Sequence, residues 1–191
     1  MGIRARSFDL FEDLHSALGK LDRQGLLRSH VPTWRLMSKL IMALSGRTGW
    51  QGTLAAREYQ ASELGRFNGD TFLAELMPLP ARGISIWPYE SLFPTRSDYE
   101  ANVRPGRIRR LRSEISAFKP PFVICYGKGN WDFHKEIFDD VTFRSELDDE
   151  ILVGLSGGST ILLLPTLSYY LMMTNLISKI AGLFGPNQQS V

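Results

Sequence analysis

The residues best suited to chemistry in this chain of 191 residues are one carboxylate and two hydroxyls that follow apolar segments. Glu75 lies towards the end of the apolar segment 71–77, where a carboxylate accepts hydrogen bonds or orients water. Partial burial would raise the pKa of Glu75 and suit it to acid–base work. The alternative is a structural carboxylate that binds loop amides or an arginine. Thr166 and Ser168 offer hydroxyls, which donate hydrogen bonds but carry no charge.

Thiol, metal and nucleotide chemistry have weaker candidates. Cys125 is the one cysteine and lies inside a short apolar run, which favours a core residue over a nucleophile. His15, His30 and His134 are scattered, so we expect no metal site, and we expect no cofactor. The segment 127–130 reads Gly-Lys-Gly-Asn and lacks the full phosphate-binding loop pattern of nucleotide hydrolases.

Aromatic residues are concentrated in the segment 81–105, which the sequence predicts to be a long irregular loop. Trp87, Tyr89 and Phe93 offer ring faces on which bases stack, each worth roughly 1–3 kcal/mol in proteins that bind single strands. The alternative interpretation is that these rings cover the open face of a sheet.

Basic residues are enriched nearby, since the segment 82–112 holds seven arginines against three acids. Arg107, Arg109, Arg110 and Lys128 are candidates for salt-dependent contacts to nucleic-acid phosphates. The alternative is a solvated helix face. The net charge of +2 is too small to indicate a nucleic-acid partner by itself.

Four bulky residues stand in a row before the last predicted helix: Tyr169, Tyr170, Leu171 and Met172. Four such residues cannot all face one core, so the pattern favours an apolar wedge on a loop, of the kind that enters a base stack. The alternative is packing of the helix that follows.

The elements that position these residues alternate between helices and strands. Helices are predicted after Ser7, over 33–46, near 54–64, over 107–118 and 131–138, and from about Thr174 onwards. Strands are predicted at 71–77, 122–126, 142–147, 151–155 and 161–164, of which 122–126 should be buried on both faces. This alternation predicts an α/β fold with a mostly parallel sheet and helices on its faces. We expect one domain over 1–191, with 1–32 as a helical extension.

No segment predicts a membrane span or a signal peptide, because the apolar stretch 161–183 is interrupted by polar residues and the N-terminus lacks an apolar core. A single cysteine fits a reducing compartment. We therefore expect a cytoplasmic monomer.

Three segments, in this order, resemble the uracil-DNA glycosylase superfamily. Leu73-Ala-Glu-Leu-Met-Pro-Leu-Pro80 resembles the strand that reads the base. The segment 115–127 resembles the central helix–proline–strand–glycine unit. The segment 162–174 resembles the last strand and the loop that inserts into DNA, although Thr166 stands where the family has a histidine, and residues 1–32 lack the first family motif.

The resemblance implies a three-layer α/β/α fold, best matched over 71–184, with the ligand beyond the carboxyl ends of the strands. It implies catalytic roles for Glu75 and Thr166, and base binding by Trp87, Tyr89 and Tyr126. DNA binding is implied for a larger set: Arg107, Arg109, Arg110, Lys128, Ser168, Tyr169, Tyr170, Leu171 and Met172.

The function that follows from the resemblance is base excision in DNA repair. A DNA glycosylase extrudes a damaged or modified base from duplex or single-stranded DNA and hydrolyses its N-glycosidic bond. Donors near the departing base stabilise the developing charge. Two alternatives stay open: a glycosylase-like module that binds DNA without excision, and a protein-interaction module that uses the aromatic loop.

Overall fold

The chain divides into two units, which the computed structural model describes over residues 31–66, 69–79, 86–168 and 170–186. One unit takes in the chain up to Ala74 and from Leu167 onwards, and the other is the continuous segment Glu75–Thr166. The helix predicted after Ser7 lies outside the described residues. None of the described helices is both long enough and apolar enough to cross a membrane.

The described elements, in chain order, are α1 (Pro32–Leu44), α2 (Thr53–Ser62), α3 (Arg96–Phe118), β1 (Phe122–Tyr126), α4 (Trp131–Lys135), β2 (Arg144–Glu146), β3 (Ile151–Ser156), β4 (Ser159–Leu164) and α5 (Tyr170–Phe184). Single 3₁₀ turns flank α4, at Lys128–Asn130 and Glu136–Phe138.

The first unit contains the helices α1, α2 and α5. Pro32 stands in the first turn of α1, where its fixed φ suits a helix and its missing N–H costs nothing. Met42, Tyr59 and Leu64 form the buried centre of one apolar cluster of this unit. The two predicted helices over 33–46 and 54–64 are confirmed as α1 and α2.

The second unit contains a four-stranded sheet in the order β1-β4-β3-β2. β1 runs parallel to β4, with Cys125 opposite Leu163. β3 is antiparallel to both β4 and β2. The chain is therefore a mixed α/β protein, but the prediction of a mostly parallel sheet is wrong for the described strands.

The antiparallel pairing follows from the turn between β3 and β4. Gly157 and Gly158 form a two-residue connection with φ of 56° and 91°. Positive φ at both central residues is typical of the tight turn that joins two antiparallel strands. A helical crossover, which parallel strands require, cannot fit in two residues.

One face of the sheet packs against helices. Leu111 of α3, Trp131 of α4 and the following Phe138 form a buried cluster with Ile161 and Leu163 of β4. On the opposite face of the strands, Ile151, Val153, Leu162 and Leu164 are also buried. β1 is only half-buried at Phe122–Cys125, so its predicted burial on both faces is wrong.

The segment 71–77 is not a strand, contrary to the prediction from its apolar sequence. From Glu75 onwards, where the second unit begins, side chains of α3 hold the chain instead. Arg107 donates a hydrogen bond to the carbonyl oxygen of Glu75, and the backbone N–H of Leu79 donates to the hydroxyl of Tyr99. Leu76 packs against the apolar cluster between α3 and the sheet.

Helix α3 begins at Arg96, well before the predicted start at Arg107, so the prediction of an irregular loop is wrong over 96–105. A capping box explains the early start, because Thr95 accepts a hydrogen bond from the N–H of Asp98 while the Asp98 carboxylate accepts one from the N–H of Thr95. Pro105 lies within the helix and is exposed. The helix ends at Lys119, which has a left-handed φ of 44°.

Candidate functional site

Glu75 stands at the start of the second unit, and its carboxylate makes no hydrogen bond or ion pair with the described residues. Partial burial raises the pKa of its carboxyl group, and the positive charge of Arg107 lowers that pKa by a smaller amount. The residue nevertheless keeps an exposed surface. Glu75 is therefore an accessible carboxylate that holds a proton more readily than an ordinary glutamate.

Arg107 lies near Glu75 and contacts the backbone of that residue. One terminal nitrogen of the guanidinium lies 2.5 Å from the carbonyl oxygen of Glu75. The Nε atom is buried and has no partner among the described residues. Burial lowers the pKa of Arg107, which is evidence of a partly desolvated cation.

Two tyrosines complete this charged group. Tyr126, at the end of β1, is 38% exposed, and its pKa is raised by burial and by the charge of Glu75. Tyr99 is buried, and its pKa is raised mainly by burial. Of the predicted residues, Arg107 thus contacts Glu75 directly, and Tyr126 interacts with the charge of Glu75. The structure adds Tyr99, which the sequence showed only as one aromatic of a predicted loop.

The predicted base-stacking residues Trp87 and Tyr89 pack against their neighbours. Trp87 lies 5.2 Å from Tyr89 and 5.3 Å from Tyr99 between ring centroids, and Phe93 lies 5.2 Å from Tyr99. The indole N–H of Trp87 donates to the carbonyl oxygen of Phe93. Trp87 and Tyr89 are half-buried. The rings therefore pack against one another and against Tyr99 of α3, while both base binding and coverage of the sheet stay predictions.

Most of the described arginines of the segment 82–112 have partners within the chain. Arg96 donates to the carbonyl of Ile86, and Arg104 lies over the ring of Phe133. Arg112 donates to the carbonyls of Glu136 and Ile137 at the end of a 3₁₀ turn. These cations stabilise the fold directly, which a count of arginines could not reveal.

The exposed cations of this unit are fewer. Arg110 is exposed and pairs with Glu114 at 2.9 Å. Arg109 is exposed and has no polar partner among the residues that the structure describes. Lys128 is exposed, with its ammonium nitrogen 5.2 Å from the centroid of the Trp131 ring. Their contact with phosphate stays a prediction.

The remaining predicted site residues follow β4. Thr166 is an exposed residue of the second unit, whereas Ser168 is a half-buried residue of the first unit. Tyr169 lies outside the described residues. Tyr170, Leu171 and Met172 belong to the first turn of α5, so the prediction that they form a loop before the helix is wrong. Met172 is 70% exposed, as an inserting side chain would be.

Other chemical groups offer less. Burial raises the pKa of the Cys125 thiol to about 12, so this half-buried residue, which packs against the apolar cluster, is a poor nucleophile. The described residues contain no group of three or more histidine, cysteine or acidic side chains that could hold a metal ion. A cavity of about 350 Å³ in the first unit is lined by none of the predicted site residues; its lining includes Arg47, Trp50 and Pro186.

Comparison with known proteins gives no relative. No family model matches the chain, and no curated protein or solved structure does so either.

Proposed function

We propose that this chain is a DNA-binding protein of the uracil-DNA glycosylase type, which accepts an extruded base at Glu75 and hydrolyses its N-glycosidic bond. One observation carries the proposal: the accessible carboxylate of Glu75 has a raised pKa, the guanidinium of Arg107 binds the carbonyl oxygen of the same residue, and the charge of Glu75 acts on the hydroxyl of Tyr126. Perturbed carboxylates beside a specific charge partner are typical of functional sites.

The chemistry requires few groups. Glu75 accepts a hydrogen bond from a base N–H or orients water against the sugar, and Tyr126 donates a hydrogen bond to a base carbonyl. The departing base leaves as an anion, which such donors stabilise. A few kcal/mol of unstacking is repaid by these contacts.

The DNA backbone would lie along the exposed cations Arg109, Arg110 and Lys128. Ser168 and Met172 are proposed as further contacts, to a phosphate and to the base stack respectively. We also propose a second helical layer, on the sheet face that carries the buried Val153 and Leu162. The proposed setting is DNA repair in the cytoplasm.

The test is a base-release assay on DNA oligomers that contain uracil, hypoxanthine or another modified base. Abasic sites, detected by strand cleavage in alkali, should form with at least one substrate. Glu75→Gln should lower that rate by about 10²–10⁴-fold, which is the range for loss of an acid–base group. Glu90→Gln, at an exposed carboxylate of the same unit, should leave it unchanged. No abasic sites and no DNA binding would exclude the proposal.

A second candidate function is binding of DNA without excision. Thr166 favours it, because a hydroxyl cannot supply the positive charge of an imidazolium. The absence of a base-reading strand over 71–77 favours it as well. Salt-dependent DNA affinity without any base release would select this function over the first.

A further inference from the structure

Arg107 differs from its neighbours on α3 in where its guanidinium is directed. We propose that Arg107 is a positioning residue that fixes Glu75 through the backbone, and that it makes no contact with DNA phosphate. This inference rests on the proposed function only for the role of Glu75 in binding a base. The hydrogen bond between Arg107 and Glu75, and the effect of the Arg107 charge on the pKa of Glu75, are properties of the protein without DNA.

Arg107 donates a hydrogen bond to the backbone of Glu75. The guanidinium of Arg107 lies 2.5 Å from the carbonyl oxygen of Glu75, although the two residues are far apart in sequence. Arg107 is half-buried, whereas Arg109 and Arg110 are exposed. Moving the guanidinium of Arg107 outwards to a phosphate would remove the donor from a carbonyl that no other described residue contacts.

Arg107 also makes one of three contacts that hold the segment Glu75–Leu79 in place. Tyr99, about two turns earlier on α3, accepts a hydrogen bond from the N–H of Leu79 at 2.9 Å. Between these two bonds, Leu76 packs against the apolar cluster that includes Leu111 of α3. The segment Glu75–Leu79 is therefore hydrogen-bonded to one helix at both ends, and between these bonds Leu76 packs against the apolar cluster.

Arg107 also acts on Glu75 through its positive charge. Burial raises the pKa of Glu75, and the charge of Arg107 opposes that rise. Tyr99 and Tyr126 also interact with the charge of Glu75, and both are neutral at ordinary pH, as tyrosines are even without the upward pKa shift that these two have. Arg107 is thus the one cation among these partners, and it keeps the carboxylate ionised over a wider pH range.

Lysine would preserve only part of this role. An ammonium group carries the same charge, but it lacks the planar set of donors by which a guanidinium binds a carbonyl at fixed geometry. We therefore expect Arg107→Lys to hold the pKa of Glu75 near the wild-type value. Arg107→Met, which keeps the length of the stem and removes the charge, should raise that pKa.

The test in the free protein is a carboxyl ¹³C NMR titration of Glu75. We expect a higher pKa in Arg107→Met, a value near wild type in Arg107→Lys, and no change in the matched control Arg109→Met. An unchanged pKa in Arg107→Met would overturn the inference. If Arg107→Met does not fold, Arg107→Ala and Arg107→Lys compared at matched helix content decide the same question.

The salt dependence of DNA binding distinguishes a positioning role of Arg107 from a contact with phosphate. The slope of log Kobs against log[salt] should become shallower by about 0.9 when one phosphate contact is lost. Arg109→Met should show that change, and Arg107→Met should keep the wild-type slope. A shallower slope for Arg107→Met would make it a phosphate contact and refute the inference. If the wild-type protein binds no DNA, the proposed function fails, and the titration alone decides the role of Arg107.

Discussion

The indole N–H of Trp131 donates a buried hydrogen bond to the carbonyl oxygen of Leu164 across 3.0 Å. The same carbonyl accepts the backbone N–H of Gly127, also at 3.0 Å. The end of β4 is thereby joined to the turn after β1 and to the first residue of α4. These bonds also set the position of Lys128, which lies between Gly127 and Trp131 in the chain.

Trp131→Phe should lower the free energy of unfolding by about 1–3 kcal/mol, since it removes a buried hydrogen bond and leaves part of the indole volume empty. Chemical denaturation monitored by circular dichroism measures the change. Leu155→Ala, at a side chain that is 70% exposed in the same unit, should change stability by less than about 0.5 kcal/mol. Equal effects of both substitutions would contradict the role given to Trp131.

Gly154→Ala should destabilise the protein by about 1–3 kcal/mol, because a Cβ at this position of β3 would approach a methyl of Val141 to 2.4 Å and the ring of Phe143 to 3.0 Å. Gly106→Ala is the matched control. No heavy atom lies within 4 Å of a Cβ at Gly106, and this glycine is inside α3. The control should therefore gain about 0.5–1 kcal/mol. Thermal unfolding of the two variants should shift in opposite directions.

Lys119→Gly should raise the free energy of unfolding by up to about 1 kcal/mol. Lys119 ends α3 with a left-handed φ of 44°, a conformation that glycine adopts without the Cβ penalty. Ala117→Gly, at an exposed position two residues earlier within the helix, should instead cost up to about 1 kcal/mol. Urea unfolding midpoints compare the two, and a loss of stability in Lys119→Gly would be the contrary result.

Glu75→Gln should become increasingly more stable than wild type as the pH rises from 4 towards 7. The native pKa of Glu75 lies above its unfolded value, so its proton stabilises the native state below the unfolded pKa. That stabilisation is lost as the pH rises through the native pKa. Glutamine carries no such penalty, and the difference between the two proteins should vanish at low pH. Chemical denaturation of both proteins at a series of pH values measures this difference.

Local patterns in the sequence predicted several elements of both units. The apolar run at 122–126 is β1, with the predicted bounds, and the run at 161–164 lies within β4. The helix predicted over 33–46 is α1. Such elements depend on the period of apolar residues and on turn residues a few positions away, which are all visible in the sequence.

The sequence alone could not show which strands pair, or which partners charged side chains take. The segment 71–77 has the composition of a strand, yet no strand of the described sheet pairs with it. Hydrogen bonds to Arg107 at Glu75 and to Tyr99 at the nearby Leu79 hold this part of the chain against α3 instead. Arg112 belongs to the arginine-rich segment 82–112, and in the fold it binds the carbonyls of Glu136 and Ile137 in a 3₁₀ turn.

By itself, the sequence determined that the chain is a mixed α/β protein and that Glu75 is a carboxylate in an apolar context. Only the tertiary structure decided that Arg107 binds the backbone of Glu75, that Tyr126 interacts with its charge, and that partial burial raises its pKa. The physical reason is that hydrophobic period and turn chemistry act over a few residues. Hydrogen bonding, burial and charge interaction depend on contacts between residues that are distant in the chain.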